Sequence, residues 1–493
     1  MSEPQPEPQE HWIDTDIPAR LDRLPWSRWH WLVVMGLGIS WVLDRLEVTL
    51  QGAISPVLLD PRTLGLTPAQ TGLTVTGYLL GAVSGSLFFG YLTDRFGRRK
   101  LFLTTLAVYL CATALTGLSW DFWSMFFTRF LTGAGIGGEY AAINSAIDEL
   151  IPARVRGRTD LIINSTFWLG TAFGSAASLF FLDRRIFPIN LGWRLPFLFG
   201  ALLGLIIVAM RRYIPESPRW LITHGHIEEA RKIVADIEEH IKADLSDTPA
   251  SALPSSSPET IRIRTDMHIG MLDIFGAILK NYWRRSLLAF CLMVSQAFFY
   301  NGVYFSQSLV LVTFFPVAPG RIGLYLLPLA LANLLGPLVV GHLFDTVGRK
   351  PMITATFALS GILLSLMALA LAAGVLTAAG ETACLCLIFF VASSAASSAY
   401  LTASEIFPVE TRAMAIALFY SAGTGAGGAG APALFGSLIQ SGMHSLIYGY
   451  FAGSTLMVIA ALAELLLGVR AEKKSLEDIA PPLSAGKSGG RRG

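Results

Sequence analysis

Of the ionisable residues inside otherwise apolar stretches, four stand out: Asp44 and Glu47 in one, Arg129 and Glu139 in another. Asp44 and Glu47 are three apart, so on a helix they share a face, which Gln51 continues. Burial favours the neutral form of a carboxyl group, and a nearby arginine favours the ionised form. A carboxylate that moves between these two environments takes up and releases a proton. Arg129 lies ten residues from Glu139, about 15 Å of helical rise. The two cannot form one site on a single helix, but Arg129 can pair with Asp44 or Glu47 from a neighbouring one. We expect Asp44 to lead in proton coupling, followed by Glu47 and Glu139, with Arg129 as the cationic partner. The competing expectation is that these acids only brace helices or stay protonated. It weighs most on Glu139, which sits in a glycine-rich run.

A second set offers hydrogen bonds and ring faces. Gln296, Tyr300, Asn301, Tyr304 and Gln307 crowd one apolar stretch, and Gln51, Tyr78, Asn164, Trp168, Asn333 and Tyr400 are scattered over others. Amides bond hydroxyls or carboxylates, and aromatic faces stack on sugar or aromatic rings. Any one of them serves as readily for a helix–helix hydrogen bond. The cluster at 296–307 favours a substrate-binding wall.

The elements that must carry these groups are membrane helices. The chain has 493 residues, 53% of them hydrophobic and only 15% charged, against about 25% charged in an ordinary globular protein. Its apolar residues come in runs of about 20, long enough to cross a ~30 Å hydrocarbon core. Twelve spans are predicted, at about 30–58, 68–92, 101–119, 122–148, 160–182, 193–213, 286–314, 321–343, 352–374, 381–403, 413–439 and 444–468. Placed on them, 30 of the 37 Lys and Arg fall on the side of the termini, while Arg62, Arg184, Arg185, Arg194 and Arg321 lie on the other. That bias predicts cytoplasmic termini. Residues 1–10 are polar, and no short apolar region with a cleavage site precedes the first span, so no signal peptide is expected. The basic, Trp-rich segment 19–31 suits the headgroup level. A net charge of only +2 gives no support for a nucleic-acid partner. Cys111, Cys291, Cys384 and Cys386 all fall in spans and form no disulfide or metal pattern. No metal or cofactor is expected, and no nucleotide loop or catalytic triad is evident.

The chain repeats itself. Asp94-Arg95-x-Gly97-Arg98-Arg99 follows the second span, and Asp345-x-x-Gly348-Arg349 follows the eighth. Glu149-x-x-Pro152-x-x-x-Arg156 follows the fourth, and Glu405-x-x-Pro408-x-x-x-Arg412 the tenth. Two motifs in the same order at nearly equal offsets mean a duplicated unit of six spans. The expected organisation is an N-terminal interfacial segment (1–29), a six-helix bundle (30–213), a cytoplasmic central loop (214–285), a second bundle (286–468) and a cytoplasmic tail (469–493). Within the central loop a helix is predicted over Glu216–His240, with Ile227, Ala230, Ile233, Val234 and Ile237 at helical spacing. Residues 246–258 read as linker.

Over nearly its whole length the chain resembles a major facilitator superfamily transporter. The loop motif at Asp94–Arg99 matches the superfamily. Pro215-Glu216-Ser217-Pro218-Arg219 after span six, the two E-x-x-P-x-x-x-R elements and Arg129 are similar to the sugar-porter branch, as is the Gln296-to-Asn301 spacing, although Phe305 breaks the branch's following tyrosine pair. Gly137-Gly138-Glu139-Tyr140 looks more like metabolite:proton symporters. Asp44-Arg45-Leu46-Glu47 resembles the D-G-x-D of aromatic-acid:proton symporters, with Arg45 in place of glycine.

The resemblance implies an all-α polytopic protein: twelve transmembrane helices in two parallel six-helix pseudo-repeats, working as a monomer by alternating access. It implies that Asp94, Arg95, Gly97, Arg98, Arg99, Glu149, Arg156, Glu216, Arg219, Asp345, Arg349, Glu405 and Arg412 form cytoplasmic gating networks. The alternative for the basic loop residues is that they only set topology. Two functions stay open for the substrate. Gln/Asn positions suit a sugar or polyol, and the acids of span one, with Arg129 as a carboxylate clamp, suit an organic or aromatic acid, toward which we lean. Proton symport is expected in a plasma membrane, bacterial inner membrane foremost; a uniporter, an antiporter, a membrane sensor on the same scaffold and a membrane enzyme are the competing classes.

Overall fold

The computed structural model describes residues 12–96, 98–211, 215–244, 261–264, 276, 278–407 and 412–469. A chain in hydrocarbon must satisfy its backbone internally, and these residues do so as helices. The first half comprises α2 (Arg28–Ile54), α3 (Pro68–Phe96), α4 (Arg98–Gly117), α5 (Phe122–Leu150), α6 (Ala153–Phe181) and α8 (Leu195–Arg211). Short helices α1 (Ile17–Asp22) and α7 (Ile189–Gly192) flank them. In the second half, α11 (Trp283–Phe299) continues through a π-helical turn at Tyr300–Tyr304 into α12 (Phe305–Phe314). Then come α13 (Ile322–Thr346), α14 (Arg349–Ala372), α15 (Ala378–Glu405) and α16 (Arg412–Gly423). A second π turn at Thr424–Gly428 leads to α17 (Ala431–Ser441), and α18 (Met443–Leu467) ends the bundle. These long segments coincide with the twelve predicted spans, several running a turn beyond them.

Among the described residues seven helices meet a strict test of length and apolarity for crossing a membrane. α2 and α5 do not, and these are the helices that carry Asp44, Arg45, Glu47, Arg129 and Glu139. Outward-facing Leu338, Leu462 and Leu466 are more than half exposed. A belt of that kind would be a large apolar patch in water and is at home in lipid.

The helices of each half pack through glycine. A Cβ on Gly133 or Gly137 of α5 would collide with the carbonyl oxygens of Tyr78 and Ala82 on α3, so the glycines let the two backbones touch. The halves meet in the same way at the end away from the termini. Gly72 of α3 lies against the Pro432 carbonyl of α17, and Gly436 against the Pro68 carbonyl. The Ser308 hydroxyl donates to the Gly52 carbonyl, linking α12 to α2, and Gly323 of α13 rests on α6 at Ser175 and Ser178.

At the terminal end, the predicted 216–240 helix is two helices, α9 (Pro218–Thr223) and α10 (Ile227–Asp244). Gly225 divides them at φ +80°, a conformation that ends helices. The Ser217 hydroxyl caps α9 by accepting from the Trp220 amide at 2.9 Å. Ala230, Val234, Ile237 and Ile241 form the buried stripe of α10, packed with Ile17, Leu21 and Leu24 of the N-terminal segment. Arg20 donates two bonds to the Glu238 carboxylate, at 2.9 and 2.8 Å. That guanidinium holds the Glu238 carboxyl below its ordinary value. One feature departs from the all-helical expectation: β1 (Trp12–Thr15) pairs antiparallel with β2 (Ile261–Arg264), Trp12 opposite Arg264 and Thr15 opposite Ile261. Strand pairing lies outside the reach of a reading based on helical periodicity. The predicted linker 246–258 and most of the tail lie outside the described residues.

Candidate functional site

The acids of α2 face inward. Asp44 is 6% exposed and Glu47 2%, with Arg129 of α5 at 1%. Arg129 donates to Glu47 Oε1, and the Thr113 hydroxyl of α4 donates to Glu47 Oε2 at 3.0 Å. The Tyr78 hydroxyl donates to Asp44 Oδ1 at 3.0 Å, and the Tyr78 ring lies 4.8 Å from the Arg129 guanidinium carbon. Phe197 covers Arg129 from another side at 5.6 Å. Four helices thus build one network around two carboxylates and one cation. Burying such a pair is costly, and the attraction repays it only when the remaining lone pairs are satisfied. Thr113 does this for Glu47. Glu139 is also buried on α5, with Tyr109 of α4 near both it and Glu47.

This geometry corrects one expectation. Arg129 is enclosed and committed to Glu47, so it is not a clamp open to a substrate carboxylate. A different cation, on α2, lies near tyrosines of the second half. Arg45, one residue from Asp44, lays its guanidinium 3.5 Å over the Phe167 ring of α6. Its Nε is buried without a hydrogen-bond partner. Tyr300, Tyr304, Tyr400 and Tyr420 of the second half are within electrostatic reach of it.

The expected substrate wall divides. Trp168 and Tyr300 approach across the two halves, ring centroids 6.3 Å apart. Tyr400 stacks obliquely on Tyr420 at 6.1 Å and adjoins Gln296. It is 38% exposed. The Tyr300 hydroxyl donates to Asn333 at 2.7 Å, and the Asn333 amide donates to the Leu329 carbonyl. Asn301 donates to the Ala297 carbonyl at 2.8 Å and sits against Gly428 of the second π turn. Gln307 donates to Glu381 at 2.6 Å, and Gln51 donates to the Thr74 hydroxyl at 3.4 Å. Tyr304 packs on Phe305 and Phe389. Asn301, Asn333 and Gln307 therefore already hold protein groups; Tyr78 and Tyr304 are buried, and Tyr400 is the exposed ring of the wall. Both π turns fall here, where an extra residue per turn re-aims side chains, a recurrent feature of functional sites.

The side chain of Asn164 lies outside the described residues, as do those of Asp94, Arg95, Arg98, Arg99, Glu149, Arg156, Arg219, Asp345, Glu405 and Arg412, and the whole of Gly97. Glu216 is half-buried and accepts from the Ser217 amide at 3.1 Å; Arg349 is half-buried at the start of α14. Sequence reasoning passed over Arg45 as a site residue, and over the buried acids Glu381 and Glu464 of the second half. All three are charges within apolar stretches, the signal that did single out Asp44 and Glu47.

A family model described as "Sugar (and other) transporter" matches residues 50–480. The niacin transporter NiaP of Acinetobacter baylyi is 28% identical over 466 residues, covering 94% of this chain and 99% of that protein. The arabinose-proton symporter of Bacillus subtilis is 24% identical over 434 residues, 84% of this chain and 87% of that one. Among solved structures, the xylose transporter XylE of E. coli in a partially occluded inward-open conformation superimposes with a TM-score of 0.68 at 19% identity, over 91% of this chain and all of that one.

Proposed function

The chain belongs to the sugar (and other) transporter family, an integral membrane transporter rather than an enzyme, and from that premise we propose that it accumulates a small polar metabolite by proton symport. The observation that carries the reading is the network of Asp44, Glu47 and Arg129, buried together in the first half and tied to Tyr78 and Thr113. With Arg129 on Glu47, Asp44 is the acid whose state can change without leaving the buried cation alone. A proton on Asp44 removes a charge from the site, and rearrangement of α2 against α5 releases it. We propose Glu47 and Arg129 as the partners that set the proton affinity of Asp44, and Glu139 as a further acid of the same region.

The seal at Gly72, Gly436, Ser308 and Gly323 supports one half of an alternating cycle, in which the end toward the termini opens. We propose that this end is cytoplasmic, that the paired loop motifs gate it, and that the protein acts as a monomer in a bacterial plasma membrane. Organic acid and sugar are both in the range of its relatives, whose names include a niacin transporter and an arabinose-proton symporter.

The test is uptake into proteoliposomes under an imposed pH gradient, with aromatic carboxylates and pentoses side by side. Asp44→Asn is expected to abolish uphill accumulation while keeping exchange of labelled for unlabelled substrate. Unchanged pH-driven accumulation in this variant would remove Asp44 from the coupling step.

A further inference from the structure

We infer that Arg45 is an anion-binding residue, and that the space between the halves takes a small planar or aromatic carboxylate whose charge Arg45 neutralises. The inference rests on the transport reading and narrows its substrate class. Its basis is an unmatched charge. Among the described residues no carboxylate pairs with Arg45, and its Nε is buried without a partner. The two other charged groups nearest in the sequence are already engaged: Asp44 with Tyr78, Glu47 with Arg129. A guanidinium held against the Phe167 ring gains a cation–π contact but no hydrogen bond from it, and its five donors form a rigid fork that fits a carboxylate with two parallel bonds.

The surroundings give the body of the ligand. Arg45 belongs to the first half, while Tyr300, Tyr400 and Tyr420 belong to the second and stand within its electrostatic reach. Trp168 meets Tyr300 across the same gap. A ligand anchored on Arg45 would rest on these rings, and a flat body buries more surface there than a puckered one. A neutral sugar would leave the cation uncompensated. Such a ligand touches both halves, so its binding couples to their relative movement.

Two measurements test this. Purified protein in detergent is titrated with benzoate and pyridine-3-carboxylate, and with the corresponding amides, which keep the ring and lose the charge. Binding is read by calorimetry. In the wild type the acids are expected to bind at least tenfold more tightly than the amides, the scale of a charge-assisted hydrogen bond. Arg45→Gln, checked for a monodisperse elution profile, is expected to lose that preference, and Arg45→Lys to keep part of it. The same proteins are then assayed for uptake. Acid-selective, Arg45-dependent binding without flux would sink the transport reading and leave this inference standing. Pentose accumulation with no acid binding would leave transport standing and overturn the inference, as would an acid preference that survives in Arg45→Gln.

Discussion

Glu47 and Arg129 form an enclosed ion pair whose removal in halves should behave differently from its removal as a whole. In Glu47→Gln, the Arg129 guanidinium keeps its charge at 1% exposure, flanked by the Tyr78 and Phe197 rings. The ring contacts are worth about 0.5–2 kcal/mol and were present before the change, so they do not offset it. Leaving one partner of a buried pair uncompensated costs about 3–5 kcal/mol. Arg129→Gln strands Glu47 in the same way, although the Thr113 bond to its second oxygen survives, which puts its cost toward the lower end. In the double variant neither charge is left, and two amides of similar shape can bond each other. Its cost should fall well below the sum of the singles, with a coupling of about 2–3 kcal/mol. The assay is reversible unfolding in mixed dodecyl sulfate and maltoside micelles, with all four proteins of the cycle compared at one pH. Single variants whose effects add to within about 0.5 kcal/mol would refute the reasoning, because independent residues add and a shared charge pair does not.

Gly72→Leu should stop the cycle, since even a Cβ there would enter the Pro432 carbonyl; uptake is expected to be lost, and a cysteine at Ser308 to become reactive toward an impermeant maleimide from the side away from the termini. Gly425→Ala is the matching control: nothing lies within 4 Å of its Cβ, and uptake should stay near that of the wild type. Arg20→Ala should free α10 from the N-terminal segment, raising amide exchange in Ile227–Asp244 by an amount consistent with about 0.5–1 kcal/mol. Acid should do the same to the native protein. Because Arg20 depresses the Glu238 carboxyl, this contact stabilises fully above the ordinary glutamate value and is lost as pH falls through the lower folded-state value; exchange compared at pH 7 and pH 3, corrected for intrinsic rates, checks the direction. Gln307→Leu removes the only hydrogen bond described for the buried Glu381 carboxylate, and a destabilisation of about 1–3 kcal/mol is expected in the same micelle assay.

Much of this was legible in one dimension. A membrane span is a local property: about 20 apolar residues cross the bilayer whatever surrounds them, so the twelve helices could be marked before any contact was known. The six-span repeat was legible because Asp94 and Asp345, and Glu149 and Glu405, keep their motifs at matching offsets. A buried charge is also a local signal, since insertion makes it expensive wherever it stands; Asp44, Glu47, Arg129 and Glu139 were found in that way. The strand pair between residues 12–15 and 261–264 and the break at Gly225 were harder to read, the first because its partner is some 250 residues away.

Pairing was decided by the tertiary structure alone. Whether Arg129 meets Asp44 or Glu47 depends on the axial register of α2 against α5, a difference of about one helical turn that no spacing within either helix specifies. The same packing commits Asn301, Asn333 and Gln307 to protein partners. It also turns Arg45, in sequence only a substitution within a four-residue motif, into a cation that, among the described residues, pairs with no carboxylate. Sequence determined which groups must be satisfied, because the cost of burial is a property of each side chain. Structure determined which of them are satisfied by the protein itself, because that depends on distances between helices.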